Sequence, residues 1–342
     1  MLISLAILLV PFAFLRGGVI HLGHQWGFVI VALLVLSTQV RNIWIKLFIW
    51  YTTIWTLFIL ITNLYDPVSF IRSYEAYKFL TYIIIVFLIY QGVLKSKCKK
   101  KTFYLLIRIS ILVQLSLAWI QYFGFDPITF YLDGVKSGGG TTIGSLGNTN
   151  FLAAYVAIGA PFFLSGRWRW FLIPISLMLL VSNTTTAVLS AACGVGAYFG
   201  LKWVVYLFGL SSLFPIFLDE GVFIECPRWG WWSTALQDMV SVPSSLFVGF
   251  GPAADTGLKF PLHNEWLEML YHFGIVGLVL VAGYIRSIVN TGDRMLLGAL
   301  IAVLVNCLGN YPLHLAPSLL LILVIFALME KDKWQITYHT QS

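Results

Sequence analysis

The sequence contains few charged residues, and this scarcity excludes most soluble folds. Only 10% of its 342 residues are charged, whereas 59% are hydrophobic. A soluble domain usually carries about 25% charged residues, because polar side chains must cover its surface. The apolar residues form long continuous segments instead of alternating, which argues against a transmembrane β-barrel. The composition therefore predicts an all-α polytopic membrane protein.

Cysteine is also scarce, and the four cysteines lie far apart in the sequence. Zinc sites and disulfide frameworks need paired or clustered cysteines, such as C-x-x-C, and no such spacing is present. His21 and His24 are three residues apart, but no acidic residue or Cys lies close enough in sequence to complete a metal site. We therefore expect neither a metal ion nor another cofactor.

Twelve apolar segments are candidates for membrane-spanning helices. A helix needs about 20 apolar residues to cross the hydrocarbon core of a bilayer. The first segment lacks the basic start and small-residue cleavage site of a signal peptide, so we interpret it as a retained helix. The whole chain, 1–342, is expected to form a single integral membrane domain. The candidate spans are roughly 1–15, 25–40, 44–64, 77–94, 103–123, 147–165, 170–182, 185–201, 203–217, 264–285, 295–310 and 317–330.

The basic residues indicate how these spans are oriented. Cytoplasmic loops of membrane proteins carry an excess of Lys and Arg. If both termini are cytoplasmic, most of the 21 Lys and Arg residues fall in inner loops, including the cluster of lysines at 95–101. The net charge of +7 is then explained by membrane topology, and it does not indicate a nucleic-acid partner.

Two long loops, 124–146 and 218–263, fall on the extracytoplasmic side in this topology. Loops of this length in a compact protein are usually functional. The second loop leads into a helix on which Asn264, Glu268 and His272 are four residues apart and share one face. A polar stripe inside a membrane is costly unless it faces a cavity or a partner. We therefore expect a functional site at this end of the helix.

Other polar residues are expected near the same outer surface. The first loop is rich in glycine, and Asn148 or Thr149, just after it, can cap the following helix. Helix starts bind anions such as a diphosphate, because their free N–H groups point outward. Arg228 lies among tryptophans in the second loop, and Arg72 adds positive charge on the same side. Structural interpretations stay open, namely an ordinary cap for Asn148, a lipid-headgroup contact for Arg228 and an interfacial hydrogen bond for His263.

Three stretches of the chain resemble motifs of the bacterial O-antigen ligase and polymerase superfamily. Residues 144–153, GSLGNTNFLA, are similar to its G-x-x-G-N-x-N-x-x-A motif at the start of a span. Residues 228–236, RWGWWSTAL, followed by 243–251, PSSLFVGFG, resemble its Arg- and Trp-containing run with a later G-x-G. Residues 263–277, HNEWLEMLYHFGIVG, match its H-N-x9-G-x-x-G signature.

The resemblance implies a glycosyltransferase C-like fold and a defined activity. Such proteins take a glycan from an undecaprenyl-diphosphate carrier at the outer face of the bacterial cytoplasmic (inner) membrane. They need no nucleotide sugar and, in the ligases, no metal. His263 then maps onto the essential His of the family, which acts as general base toward an acceptor hydroxyl. The residues expected to hold the diphosphate and glycan are Arg228, Asn264, Glu268, Asn148, Asn150 and Arg72.

The resemblance leaves the acceptor open. Lipid A-core, a growing glycan chain and a protein are all compatible with the shared donor chemistry, so ligase, polymerase and protein O-oligosaccharyltransferase remain alternatives. A transporter or flippase of a lipid-linked or anionic solute is the alternative from another functional class. That alternative predicts ionisable residues near the membrane midplane of several helices.

Overall fold

The computed structural model describes most of the chain, with several gaps. Among the described residues, every regular element is a helix. These residues fall into two compact units, the first made from 1–92, 233–260 and 267–287, the second from 93–232, 261–266 and 288–342. The described residues are 40–63, 84, 86–125, 142–146, 148–202, 204–206, 227–251, 262, 264–289, 292–310, 312–314 and 316–341.

Eleven α-helices are labelled here in chain order, and short 3₁₀ helices lie between some of them. The 3₁₀ helices are Ala160–Phe163, Gly166–Phe171 and Pro312–His314. The α-helices are α1 (Ile43–Asn63), α2 (Val86–Lys95), α3 (Lys100–Tyr122), α4 (Thr149–Gly159), α5 (Leu172–Val181), α6 (Thr185–Tyr198), α7 (Pro227–Ser241), α8 (Pro243–Val248), α9 (Glu265–Ile288), α10 (Arg294–Asn306) and α11 (Ala316–Gln341).

Two of these helices, α3 and α9, are long and apolar enough to cross a bilayer. Shorter apolar helices include α2, α6, α10 and the continuous stretch Thr149–Phe163. These helices coincide closely with the apolar segments of the sequence, and they fit a helical membrane protein. The expected span 1–15 lies outside the described residues, as do 25–39 of the expected span 25–40 and 207–217 of the expected span 203–217.

The segment 218–263, expected as a long loop, contains helices in its described part. Pro227 and Pro243 stand at the first positions of α7 and α8. Proline suits these positions, because the first N–H groups of a helix have no intrahelical partner. At the other end of the chain, α11 continues to 341, well past the apolar run that was expected to end at 330.

In the first unit, α1 and α9 pack side by side in opposite directions. The Asn42 amide donates to the Ser287 hydroxyl at 2.9 Å near the start of α1 and the end of α9. Further along, the hydroxyl of Tyr51 donates to the carbonyl of Phe273 at 2.9 Å. Between these two contacts the residue number rises along α1 and falls along α9, so the two helices are antiparallel.

In the second unit, α6 and α10 form an antiparallel pair whose small residues allow close backbone approach. The Ser190 hydroxyl donates to the carbonyl of Ala302 at 2.7 Å. One turn further, a Cβ atom on Gly194 would lie 2.8 Å from the carbonyl oxygen of Gly298. Small residues at such an interface are typical of helix packing in membranes.

A charged cluster marks one end of the second unit, which we call the basic end. The Lys100 ammonium lies 2.8 Å from a carboxylate oxygen of Asp293 and 2.6 Å from one of Asp332. Arg108, two turns into α3, donates to the hydroxyl of Ser165 at 2.8 Å. The start of α3, the start of α10 and the end of the α4 region therefore lie together.

The exposed face of α3 is apolar. Leu105, Ile109 and Val113, spaced four residues apart, are all exposed, while Ile111 and Ala118 are fully buried. In water such a face would be unfavourable. It fits lipid contact, because hydrocarbon chains require no polar partner.

Candidate functional site

The opposite end of the second unit, which we call the polar end, collects buried polar side chains. Helices α4, α6, α9 and α11 begin there, and α3 and α10 end there. Each helix start carries free N–H groups, so this end is the electropositive one for those four helices. The buried polar residues are Thr142, Ser182, Thr184, Thr186, Asn264, Glu265, Asn306, Asn310 and Ser318.

Two asparagines organise the start of α4. Asn148 is the N-cap, and its side-chain oxygen accepts from the N–H of Asn150 at 2.8 Å. The side-chain oxygen of Asn150 accepts in turn from the hydroxyl of Thr184 at 2.8 Å. Within the described part of the chain, the two amide nitrogens have no hydrogen-bond partner. Both asparagines therefore keep donors for an anionic or hydroxyl ligand.

The start of α9 is fixed on both sides of position 263. The carbonyl of Leu262, which is 1% exposed, accepts from the indole N–H of Trp232 at 2.7 Å. Glu265 donates its backbone N–H to the carbonyl of Cys307 at 3.0 Å. Its carboxylate accepts from the N–H of Leu313 at 2.7 Å. The end of α10 and the following turn are thereby tied to the first residue of α9.

The end of α10 also contacts the start of α6, which links the two regions just described. A Cβ atom on Gly309 would lie 2.6 Å from the Thr186 hydroxyl. Thr186 is two residues after Thr184, the partner of Asn150. The starts of α4, α6 and α9 are therefore neighbours around the last turn of α10.

Arg228 lies in the first turn of α7, four residues before Trp232. Residues four apart in a helix occupy the same face. The Trp232 side chain is buried and reaches the backbone beside position 263. The position of Arg228 is thus one helical turn from Trp232, whose indole N–H binds the carbonyl of Leu262, the residue before His263.

In the first unit, Glu268 is buried on the second turn of α9, and His272 follows one turn later. The Nδ1 atom of His272 lies 3.1 Å from the carbonyl oxygen of Gly251. Immediately beyond, Gly274 leaves the helical conformation with φ 63° and ψ −168°. The polar stripe expected on α9 therefore ends at a break in the helix.

Some expected site residues are not described. His263 and Arg72 lie outside the described residues, as does the side chain of Arg228. Among the described residues, no group of three or more His, Cys, Asp or Glu side chains is arranged to hold a metal ion.

Sequence reasoning missed the residues whose hydrogen bonds fix the segments next to the expected site residues. Gln114 and Gln121 of α3 bind the segment before α4. Two glutamines seven residues apart on one face of an apolar helix were the available signal. Glu265 carries no such signal, because its partners are backbone groups 42 or more residues away in the sequence.

No protein-family model matches the chain, and no curated protein matches it either.

Proposed function

We propose that the chain is a glycosyltransferase of the glycosyltransferase C type, with about twelve transmembrane helices. It transfers a glycan from an undecaprenyl-diphosphate carrier to an acceptor hydroxyl at the outer face of a bacterial cytoplasmic membrane. The observation that carries the proposal is the hydrogen bond between Trp232 and Leu262. It connects the stretch beginning at Arg228, which resembles O-antigen ligases and polymerases, to the residue immediately before the similar stretch that begins at His263.

The third stretch, which contains Asn148 and Asn150, approaches the other two through side-chain contacts. Asn150 bonds Thr184, and the neighbouring Thr186 packs against the turn that follows α10. That turn bonds Glu265, two residues after His263. Asn150, Trp232, Leu262 and Glu265, which lie far apart in the sequence, thus belong to the second unit, and this proximity supports a shared substrate site.

The polar end suits a diphosphate leaving group. Converging helix starts favour a negative charge, and the amides of Asn148 and Asn150 add donors. Arg228 binds phosphate oxygens in a bidentate manner and stabilises the charge that develops on the leaving diphosphate. Asn264 belongs to the same proposed binding region. Arg72 and Glu268 are proposed to bind the substrate on the resemblance alone.

His263 acts as the general base in this mechanism. It takes the proton of the acceptor hydroxyl, whose oxygen attacks the anomeric carbon of the glycan. A new glycosidic bond forms as the bond from that carbon to the phosphate oxygen breaks. The electron pair of the broken bond leaves with undecaprenyl diphosphate, so the transfer is chemically balanced without a metal ion or a nucleotide.

A transfer assay with purified protein tests the proposal. Lipid-linked glycan is supplied with lipid A-core, a glycan chain end or a pilin-like protein, and the glycosylated acceptor is measured. His263→Ala should reduce transfer by about 100-fold or more, because general base catalysis contributes about 10²–10⁴-fold. His339→Ala, near the end of α11, is the matched control and should retain activity.

Two results would contradict the proposal. Transfer by His263→Ala at the wild-type rate would remove the base from the mechanism. Movement of intact lipid-linked glycan across a vesicle membrane, with no new glycosidic bond on any acceptor, would favour the transporter instead.

Arg228→Ala should raise the KM for the donor, whereas Arg167→Ala at the basic end should not.

A further inference from the structure

Two glutamine side chains of α3 hold the segment that precedes α4. The Gln121 oxygen accepts from the N–H of Gly144 at 2.7 Å and from that of Ile143 at 3.2 Å, and its amide nitrogen donates to the Gly144 carbonyl at 2.9 Å. The Gln114 oxygen accepts from the N–H of Ser145 at 2.9 Å, and its nitrogen donates to the Ser145 hydroxyl at 2.6 Å. Five hydrogen bonds therefore fix three consecutive residues.

The conformation of this segment depends on the two glutamines. Gly144 has a φ of 56°, a left-handed conformation that glycine adopts without strain. A Cβ atom at this position would lie 2.7 Å from the side-chain oxygen of Gln114. Gln121 is only 1% exposed, and a buried amide is unfavourable unless it is hydrogen-bonded. The glutamine contacts therefore require a glycine at position 144, and the buried Gln121 amide requires the hydrogen bonds that this segment supplies.

The held segment leads directly into the two asparagines of α4. Residues 138–147 are rich in glycine, and such a chain loses much conformational freedom when it is ordered. Asn148 follows Ser145 by three residues and caps α4, while Asn150 is held by Thr184. The hydrogen bonds of the glutamines thus end three residues before Asn148, and the hydroxyl of Thr184 fixes the side-chain oxygen of Asn150.

We propose that Gln114 and Gln121, the glutamine clamp, are positioning residues for the diphosphate-bearing donor. They act through the backbone of 143–145, which sets where Asn148 and Asn150 present their amide nitrogens. The donor itself touches the asparagines. This inference rests on the proposed function, because it takes the donor to be a lipid-linked diphosphate.

Backbone hydrogen exchange tests the structural part of the proposal in the full-length protein in lipid nanodiscs. In Gln121→Leu, the amides of Ile143 and Gly144 should exchange about tenfold faster or more, since their hydrogen-bond acceptor is gone. Gln114→Leu should have this effect at Ser145. Gln91→Leu, which changes another buried glutamine in the first unit, should leave all three amides unchanged.

Steady-state kinetics test the functional part. Gln121→Leu should raise the KM for the lipid-linked donor about tenfold, with kcat and the acceptor KM changed less than twofold. Gln121→Glu keeps the oxygen that accepts from Ile143 and Gly144 but loses the donor to Gly144, so its donor KM should lie between those of the wild type and Gln121→Leu. Faster exchange with an unchanged donor KM would overturn the positioning role and leave a purely structural tie.

Binding of undecaprenyl diphosphate without a glycan separates this inference from the proposed function. If the wild-type chain transfers no glycan, the proposed function fails, and this binding decides the inference. Weaker binding by Gln121→Leu than by the wild type and Gln91→Leu would still support the clamp. Equal binding by all three proteins, or no binding by the wild type, would overturn it.

Discussion

Gly249 and Gly274 lie so close together in the first unit that neither position has space for a Cβ atom. A Cβ atom on Gly249 would overlap the carbonyl group of His272, and one on Gly274 would overlap the carbonyl group of Phe247. Both glycines have positive φ angles, 76° and 63°. The end of α8 therefore crosses the break in α9 with backbone against backbone, and only glycine fits at either position.

Replacing either glycine should destabilise the protein strongly. In Gly249→Ala or Gly274→Ala the left-handed backbone alone costs about 1–3 kcal/mol, and the overlap with a neighbouring carbonyl adds to this. Thermal unfolding in detergent should show a large fall in Tm. Gly92→Ala is the matched control, because no atom of the described residues lies within 4 Å of its added Cβ. An unchanged Tm in both glycine variants would contradict the close crossing.

Tyr51 stabilises the same crossing from α1. Its hydroxyl lies 2.6 Å from the carbonyl oxygen of Val248, at the end of α8, and 2.9 Å from that of Phe273, beside the break in α9. Tyr51→Phe should lower the free energy of unfolding by about 1 kcal/mol, because a hydrogen bond of the hydroxyl is lost while the Val248 carbonyl keeps the indole N–H of Trp55 at 2.6 Å. Tyr206→Phe, at a largely exposed tyrosine, should have little effect in the same unfolding measurement.

The positions of the helices could be predicted from the sequence, whereas their interruptions could not. A continuous apolar segment predicts a helix such as α3 or α10, since the hydrophobic pattern is local. The break at Gly274 depends on a contact with α8, and Gly277 three residues later remains helical. The helical part of 218–263 was missed because α7 is too polar to be recognised as a span.

In the candidate site, too, local features could be predicted from the sequence, whereas contacts between distant residues could not. Capping is a property of a few adjacent residues, so the sequence predicts Asn148 or Thr149 as a helix cap, and in the structure the cap is Asn148. The contacts of Trp232 with Leu262 and of Glu265 with Leu313 join residues that are 30 and 48 positions apart. Such contacts arise from tertiary packing, which a single sequence does not reveal.

The charged cluster at the basic end should make stability depend on pH. Burial alone would raise the pKa of Asp293, but hydrogen bonds from Lys100 and Tyr104 and the charge of Lys100 outweigh it, so this pKa is lowered from 3.8. A lowered carboxyl pKa stabilises the folded state above the unfolded value. This stabilisation is lost as the pH falls below 3.8 and through the lowered value.

Asp293→Asn tests this dependence, because the amide oxygen can still accept from the N–H groups of Met295 and Leu296. At pH 7 the variant should be less stable by up to about 1 kcal/mol, a typical value for a partly exposed ion pair. The difference from the wild type should shrink as the pH falls below 3.8. Asp238→Asn serves as the control, and an equal loss of stability at every pH would contradict the role of the charge.

Trp232→Phe should impair glycan transfer more than it impairs folding. The variant keeps an aromatic ring in the buried position but loses the indole N–H that binds the carbonyl of Leu262. A single lost hydrogen bond lowers the free energy of unfolding by about 1 kcal/mol. The backbone beside His263 is then less well fixed, and a displacement of about 1 Å can reduce a catalysed rate about 100-fold.

The transfer assay and thermal unfolding together separate these effects for Trp232→Phe. We expect a fall in kcat of about tenfold or more, because the proposed general base, His263, must be correctly positioned for proton transfer. Trp170→Phe changes a tryptophan that is 71% exposed, so its kcat should match that of the wild type. A wild-type kcat in folded Trp232→Phe would mean that the Leu262 contact does not align His263, and it would remove the observation on which the proposed function depends most.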